Sequence, residues 1–414
     1  MKTSVQLLSA ALALLLAGVA AGDNSAAPVP LDTSASAAAT PWQRYDKWPE
    51  RDSAQFNTLA NPTASPPIGS IRQVTTPIEG NAQNGMTLAF DRKRGGGSCV
   101  ACHIMGENTP ELPGNVGTDL SQIGGGARPD EYLYNYVYDA RVYNPNTVMP
   151  PWGAHGVFSE DEIKDIVAFL KTLTKPVNFT SPYDDPAQRP EPVETRDNLD
   201  PTENQAMWAV DQGAELFQQA GPNGSACSDC HADPETTFKS WAASMPYWEP
   251  RLNKVLGVEE FITRHALATT GAEYLMETEM NIALSVFLRN LANGAPITVD
   301  VTSTSAKEAA ERGEALMQIK VGQLNFACTD CHGISANKWI RGQWLGEARG
   351  QIPHFPTWRT SRAEIWDIRK RLQWCNVAVW GNELPPDAPE YGLIELYLTS
   401  LNNGLPVNVP GIRH

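Results

Sequence analysis

The sequence predicts an all-α protein of three similar units, and three observations carry that expectation. The first is a motif: Cys-x-x-Cys-His occurs at 99–103, 227–231 and 328–332. The second is a glycine that precedes each motif at near-constant distance, 14 residues from Gly85 to Cys99, 14 from Gly213 to Cys227 and 15 from Gly313 to Cys328. The third is the close of each unit on a similar apolar segment, IVAFLKTL (166–173), LSVFLRNL (284–291) and LIELYLTSL (393–401). Between glycine and motif, apolar residues keep helical spacing, as in Ala214, Leu216, Phe217 and in Ala315, Leu316, Ile319.

CxxCH is the attachment pattern of c-type haem. Two thiols at this spacing reach both vinyl groups of one porphyrin, and the adjacent histidine lies under the iron. The motifs therefore predict three covalently bound haem c groups, held by Cys99, Cys102 and His103, by Cys227, Cys230 and His231, and by Cys328, Cys331 and His332. One motif alone could be half of a zinc site. A disulfide framework of these six thiols would leave the repeated histidine without purpose. A helix, a CxxCH and a closing helix is the plan of a small cytochrome c domain, so the cores are expected around haems.

In chain order, residues 1–21 read as a signal peptide: Lys2, an apolar run over 7–16, then Gly18, Val19, Ala20 and Ala21. The run is too short to span a bilayer, and no later stretch reaches about 18 apolar residues. The expectation is a periplasmic protein that does not span the membrane. Residues 22–75 are rich in Ala, Pro, Ser and Thr and should have no core of their own. The first cytochrome domain occupies 76–175, where Ser159 and Glu162 form a capping box at the start of its last helix. A linker follows at 176–203, with Pro176, Pro182, Pro186, Pro190, Pro192 and Pro201 favouring an extended tether. Domains at 204–300 and 301–414 end alike, on LANGAPITV and LNNGLPVNV, and read as a duplicated pair. The formal charge is −15, with 32 basic and 47 acidic residues. An acidic chain is a poor partner for nucleic acid, whose phosphates need a basic surface.

Sixth ligands to iron follow from position. Met149, in NTVMPPWG, lies 46 residues after His103, in a Pro-rich loop ahead of the closing helix. A thioether there raises the haem potential, and His155 is the rival ligand. Cys375 lies 29 residues before Gly404, and His265 lies 29 before Gly294. The seventh cysteine and a histidine thus occupy equivalent places in the duplicated pair, which assigns them as axial ligands of haem three and haem two. Met276 or Met280 could replace His265, and Cys375 could be a buried inert thiol.

The chain resembles the two subunits of the SoxXA cytochromes joined in one polypeptide. Residues 80–175 resemble SoxX through CVACHIMGENTPELPGNVGTDLSQIGGG and NTVMPPWG. Residues 204–414 resemble dihaem SoxA through VGQLNFACTDCHG, RGQ, HFPTWR and Arg371 four residues before Cys375. Dihaem SoxA proteins can carry a second ligand cysteine where this chain has His265. The resemblance implies an L-cysteine S-thiosulfotransferase. Thiosulfate would be coupled oxidatively to a cysteine of a SoxYZ-type carrier protein, with two electrons leaving through the haems to a small cytochrome c or similar acceptor. Cys375 would be the catalytic thiol, and Arg371 and Arg359 would hold the anion. Local charge agrees. Residues 338–371 carry Lys338, Arg341, Arg349, Arg359, Arg362, Arg369, Lys370 and Arg371 against Glu347, Glu364 and Asp367, and guanidinium groups bind small oxyanions through paired hydrogen bonds. Two other classes stay open: a thiosulfate dehydrogenase that forms tetrathionate, and a multihaem electron carrier with no substrate.

Overall fold

The computed structural model describes residues 56–59, 67–91, 98–192 and 198–413. The expected leader at 1–21 and most of the 22–75 segment lie outside the described residues. Unit one contains α1 (Ala82–Phe90), α2 (Asp130–Asp139) and α3 (Glu160–Thr172). Asn81 caps α1 by accepting from the amides of Gln83 and Asn84. The capping box of α3 is formed in both directions, Ser159 Oγ with Glu162 N–H and Glu162 Oε2 with Ser159 N–H. Unit two contains α4 (Trp208–Gln218), the single turn α5 (Cys227–Cys230), α6 (Pro234–Ala243), α7 (Val258–Thr270) and α8 (Glu279–Asn290). Unit three contains α9 (Thr304–Met317), α10 (Ile368–Ala378) and α11 (Pro389–Ser400).

The repeated glycines have a packing cause. A Cβ on Gly85 would lie 1.9 Å from the Asp165 carbonyl oxygen, one on Gly213 2.2 Å from that of Ala283, and one on Gly313 2.1 Å from that of Leu393. In each unit the first helix meets the last backbone to backbone, and only a residue without a side chain fits at the crossing. The apolar faces of these helix pairs then close the cores: Leu88, Tyr134, Ile163, Ile166 and Phe169 in unit one, Phe217, Ile262, Leu284 and Phe287 in unit two, and Met317, Leu372, Tyr391 and Ile394 in unit three.

The architecture is largely helical but not strictly all-α. Seven three-residue strands are present among the described residues. In unit two β1 (Tyr247–Glu249) pairs antiparallel with β2 (Lys254–Leu256). Unit three carries β3 (Lys338–Ile340) against β4 (Gln343–Leu345), and β5 (Thr357–Arg359) between β6 (Glu364–Trp366) and the C-terminal β7 (Gly411–Arg413). Strands this short show too few alternations to be read from sequence. The β1–β2 and β5–β6 hairpins occupy corresponding places, each leading directly into the helix that carries His265 or Cys375.

Units two and three interlock with near two-fold reciprocity. Gly294 N–H donates to Val407 O and Gly404 N–H to Ile297 O, both at 2.9 Å, with Ala292, Ile297, Leu396 and Val407 in the shared core. Arg369 is fully buried and bonds Glu260 at 3.0 Å and Glu395 at 2.7 Å. Removing one partner of such a buried pair costs about 3–5 kcal/mol, because the other charge is stranded. Unit one docks on unit three. Leu324 and Trp380 enter its core, and His155 and Gln323 exchange two hydrogen bonds. The described part of the N-terminal segment adds Leu59 to the core of unit three and Phe56 against His155. The 176–203 segment contains no helix or strand among its described residues, yet it is anchored rather than free: Arg189 is buried and bonded to units one and three.

Candidate functional site

None of the seven cysteines is paired in a disulfide. In the first two motifs the chain folds back so that the histidine backbone N–H donates to the carbonyl of Cys99 at 2.9 Å and of Cys227 at 3.0 Å. His103 Nδ1 bonds the Thr118 carbonyl at 2.6 Å, and His332 Nδ1 bonds that of Gly346 at 2.9 Å. Such bonds fix the tautomer and leave Nε2 for a metal. Gly117 lies against the His103 ring, where a Cβ would come within 2.2 Å of Cε1. In units two and three Asp229 and Asp330 each accept the amide just before the first cysteine. Burial pushes the thiols of Cys99, Cys328 and Cys331 up to about 12, which marks apolar pockets. Among the described residues no cluster of three or more His, Cys, Asp or Glu could hold a bare metal ion. Paired thiols beside an imidazole whose Nδ1 is held by a backbone carbonyl, as at His103 and His332, are a donor set that fits haem c.

In unit two the His265 ring lies 6.2 Å from that of His231, centre to centre. Two metal–nitrogen bonds of about 2 Å each, with about 1 Å more from each nitrogen to its ring centre, span about that distance. Phe261, one turn earlier on α7, stacks on His265 at 5.0 Å and 13°. Of the rivals, Met280 is 43% exposed on α8 and Met276 is buried. In unit one Met149 is partly buried against the core, and its amide bonds Thr147 Oγ1. His155, the rival there, bonds the Gln323 carbonyl at 2.8 Å and packs on Phe56, so it belongs to the junction with unit three.

Cys375 sits on α10, whose N-cap Asp367 accepts the Lys370 amide at 2.7 Å. It lies near enough to Cys328 and Cys331 for its charge to raise both. Arg371, one turn before it, lies near enough to His332 and Arg359 for its positive charge to lower both. Arg359 is 7% exposed, and its Nε has no hydrogen-bond partner. Burial and the charges of Arg371, Arg413 and Arg362 pull the Arg359 guanidinium down to about 9, partly opposed by Cys375. A guanidinium so strongly disfavoured is a ready host for an anion. Cys375, Arg371 and Arg359 are thus brought together beside the third CxxCH.

Three other basic residues of 338–371 are spent elsewhere. Arg369 is neutralised by Glu260 and Glu395, Lys370 pairs with Glu364, and Arg349 bonds the Leu401 carbonyl. Sequence reasoning also missed Arg413. It stands opposite Arg359 because β7 pairs parallel with β5, and its Nη2 donates to the buried His354 Nδ1 at 2.9 Å. No local motif marks it; only the strand pairing does.

Residues 212–297 match the family described as SoxA/TsdA, cytochrome c domain. Residues 93–170 match cytochrome C oxidase, cbb3-type, subunit III. The chain is 31% identical over 225 residues to the L-cysteine S-thiosulfotransferase subunit SoxA of Pseudaminobacter salicylatoxidans, covering 53% of this chain and 78% of that one. The corresponding subunit of Paracoccus pantotrophus is 29% identical, with 53% of this chain and 76% of the relative covered. The crystal structure of SoxXA from P. pantotrophus superposes with a TM-score of 0.50 at 26% identity, covering 54% of this chain and 84% of that one. With its cytochrome c domains and a relative at this identity matched over most of its length, the chain belongs to the SoxA family of c-type cytochromes.

Proposed function

We propose that this chain is a thiosulfate-oxidising c-type cytochrome of SoxXA type in which a SoxX-like domain (76–175) is joined by the 176–203 linker to a SoxA-like pair (204–300 and 301–414). It acts as an L-cysteine S-thiosulfotransferase in the periplasm. The three CxxCH motifs would hold three haem c groups, with Met149, His265 and Cys375 as the further residues available to the irons. When bound, the haems supply one-electron acceptors close to the thiol, and together with an external cytochrome they take up the two electrons of the reaction. The observation that carries the reading is the setting of Cys375: beside the third motif's thiols and within reach of Arg371 and the buried, underpartnered Arg359.

The residues divide the work. Arg371 and Arg359 bind and orient thiosulfate so that its terminal sulfur faces Cys375 Sγ. An S–S bond forms between the two sulfurs as two electrons leave, giving Cys375–S–S–SO₃⁻. A thiolate of a SoxYZ-type carrier then attacks the sulfane sulfur, takes the S–SO₃⁻ group and returns Cys375 as thiolate, an exchange set by access and leaving-group pKa. Arg413 stands opposite Arg359 in the β5–β7 pairing and adds to the positive charge there. Two variants of the full-length holoprotein test this. Arg371→Ala should weaken thiosulfate binding about ten- to hundredfold, the range of a charged hydrogen bond, as read by calorimetry, with the haem count unchanged. Met149→Ala should lower the potential of one haem and leave the other two in place. Unchanged thiosulfate affinity in Arg371→Ala would contradict the anion-binding role.

A further inference from the structure

The Pro-rich segment between units one and two reaches into the junction of unit one with unit three. Arg189 is 7% exposed. Its Nη2 donates to the Pro113 carbonyl at 3.0 Å, and its Nη1 to the Arg341 carbonyl at 2.9 Å. Its Nε is held by the Tyr183 carbonyl of the same segment. The guanidinium lies 4.8 Å from the ring centre of Trp339. Pro113 is in the loop that follows the first CxxCH, whereas Trp339 and Arg341 are on the β3 strand and turn that follow the third. The same two stretches also meet directly. Asn115 N–H donates to Trp339 O at 3.0 Å, Trp339 N–H to Asn115 Oδ1 at 2.8 Å, and Arg341 N–H to Ala101 O at 2.9 Å. Gly114 has no room for a side chain, since a Cβ would lie 1.9 Å from Ala101 O and 2.7 Å from Trp339 O. A second contact ties the strap down, from Leu112 N–H to Asp184 Oδ1 at 3.1 Å.

We propose that Arg189 is a positioning residue that fixes the attachment loops of haem one and haem three at a set separation. The argument is geometric. A planar guanidinium presents donors in fixed directions and offers a flat face for an aromatic ring, so one side chain can hold two carbonyls from different units and cap Trp339 at once. Lysine has a single rotatable head and cannot reproduce that. Neutral carbonyls, not carboxylates, are the acceptors, so the clamp does not depend on a surface ion pair. The consequence for electron transfer rests on the function proposed above, in which electrons pass between units three and one. The clamp itself does not.

The test uses the full-length holoprotein and two variants, Arg189→Ala and Arg189→Lys. Hydrogen exchange should quicken about ten- to hundredfold at the Asn115, Trp339 and Arg341 amides in both, the range expected for loss of charged hydrogen bonds, while α1, α3, α9 and α11 keep wild-type protection. Electron equilibration between haem three and haem one, followed by rapid reduction, should slow in parallel. Wild-type exchange at those three amides in Arg189→Ala would overturn the proposal, and wild-type exchange in Arg189→Lys would overturn the role of the planar group. If Arg189→Ala does not mature with haem, Arg189→Gln is measured in the same way, and the same outcomes decide. Absence of thiosulfate turnover in the wild type would strike the proposed function instead and leave the exchange result standing.

Discussion

Units two and three use one scaffold for opposite electrostatics. In both, a short antiparallel hairpin runs into a helix that presents a side chain toward a CxxCH: β1–β2 into α7 with His265, β5–β6 into α10 with Cys375. Corresponding positions then diverge. Where unit three has Arg359, unit two has Glu249. Where unit three has Arg371, unit two has Phe261, stacked on the histidine. Glu249 is satisfied, bonded to Arg251 and Tyr247, and Arg251 holds its carboxyl down to about 2. Arg359 is the reverse, crowded by like charges and pulled down to about 9. The CxxCH scaffold is repeated, whereas the three side chains of the proposed anion site, Arg359, Arg371 and Cys375, occur together in unit three alone.

The largest effect expected of any substitution is that of Cys375→His, which gives unit three the ligand of unit two. Three haems should remain by intact mass, and thiosulfate-dependent transfer to the carrier should be almost wholly lost, because imidazole cannot accept and pass on a sulfane sulfur. Substantial residual turnover would reduce Cys375 to a ligand. Next come Arg359→Glu and Arg371→Phe, which copy the remaining differences one at a time. Each should weaken thiosulfate binding about ten- to hundredfold by calorimetry. Phe261→Leu in unit two should leave that affinity unchanged; a matching loss there would erase the distinction between the sites.

Much of this comparison was legible in the sequence. The CxxCH motifs, the glycines at the helix crossings and the equivalence of His265 with Cys375 are local or periodic, so one chain displays them. The sum of basic residues over 338–371 was a blunter signal. It counted Arg369, which is buried against Glu260 and Glu395, together with Arg359, which is not paired. Arg413 and Glu249 were invisible because their meaning comes from strand register. The grip of Arg189 on Pro113 and Arg341 could not be read either, since it joins residues 76 and 152 positions away.

Two smaller effects sharpen the comparison at the level of stability. Glu277, in the unit-two loop facing Lys370 and Gln373, has its carboxyl raised to about 7 by burial. The folded state therefore holds this proton more tightly than the unfolded chain, and stability falls as pH rises from about 4.5 toward about 7, by up to about 3 kcal/mol. Glu277→Gln should remove that part, so its melting temperature should gain on wild type as pH rises through this window. Identical pH profiles would contradict the assignment. Gly213→Ala and Gly313→Ala should each cost about 1–3 kcal/mol by overpacking, in unit two and unit three alike, as measured by thermal unfolding. A neutral result in one unit would show that its helix crossing can relax.

The central claim is that sulfur chemistry belongs to unit three and to one thiol. The most direct measurement is peptide mapping by mass spectrometry after the oxidised holoprotein meets thiosulfate without carrier. The account predicts an added S–SO₃ group on the peptide that contains Cys375, and none after carrier thiol is supplied. Thiosulfate consumed with the Cys375 peptide left unmodified, or with the group found on any other residue, would contradict it.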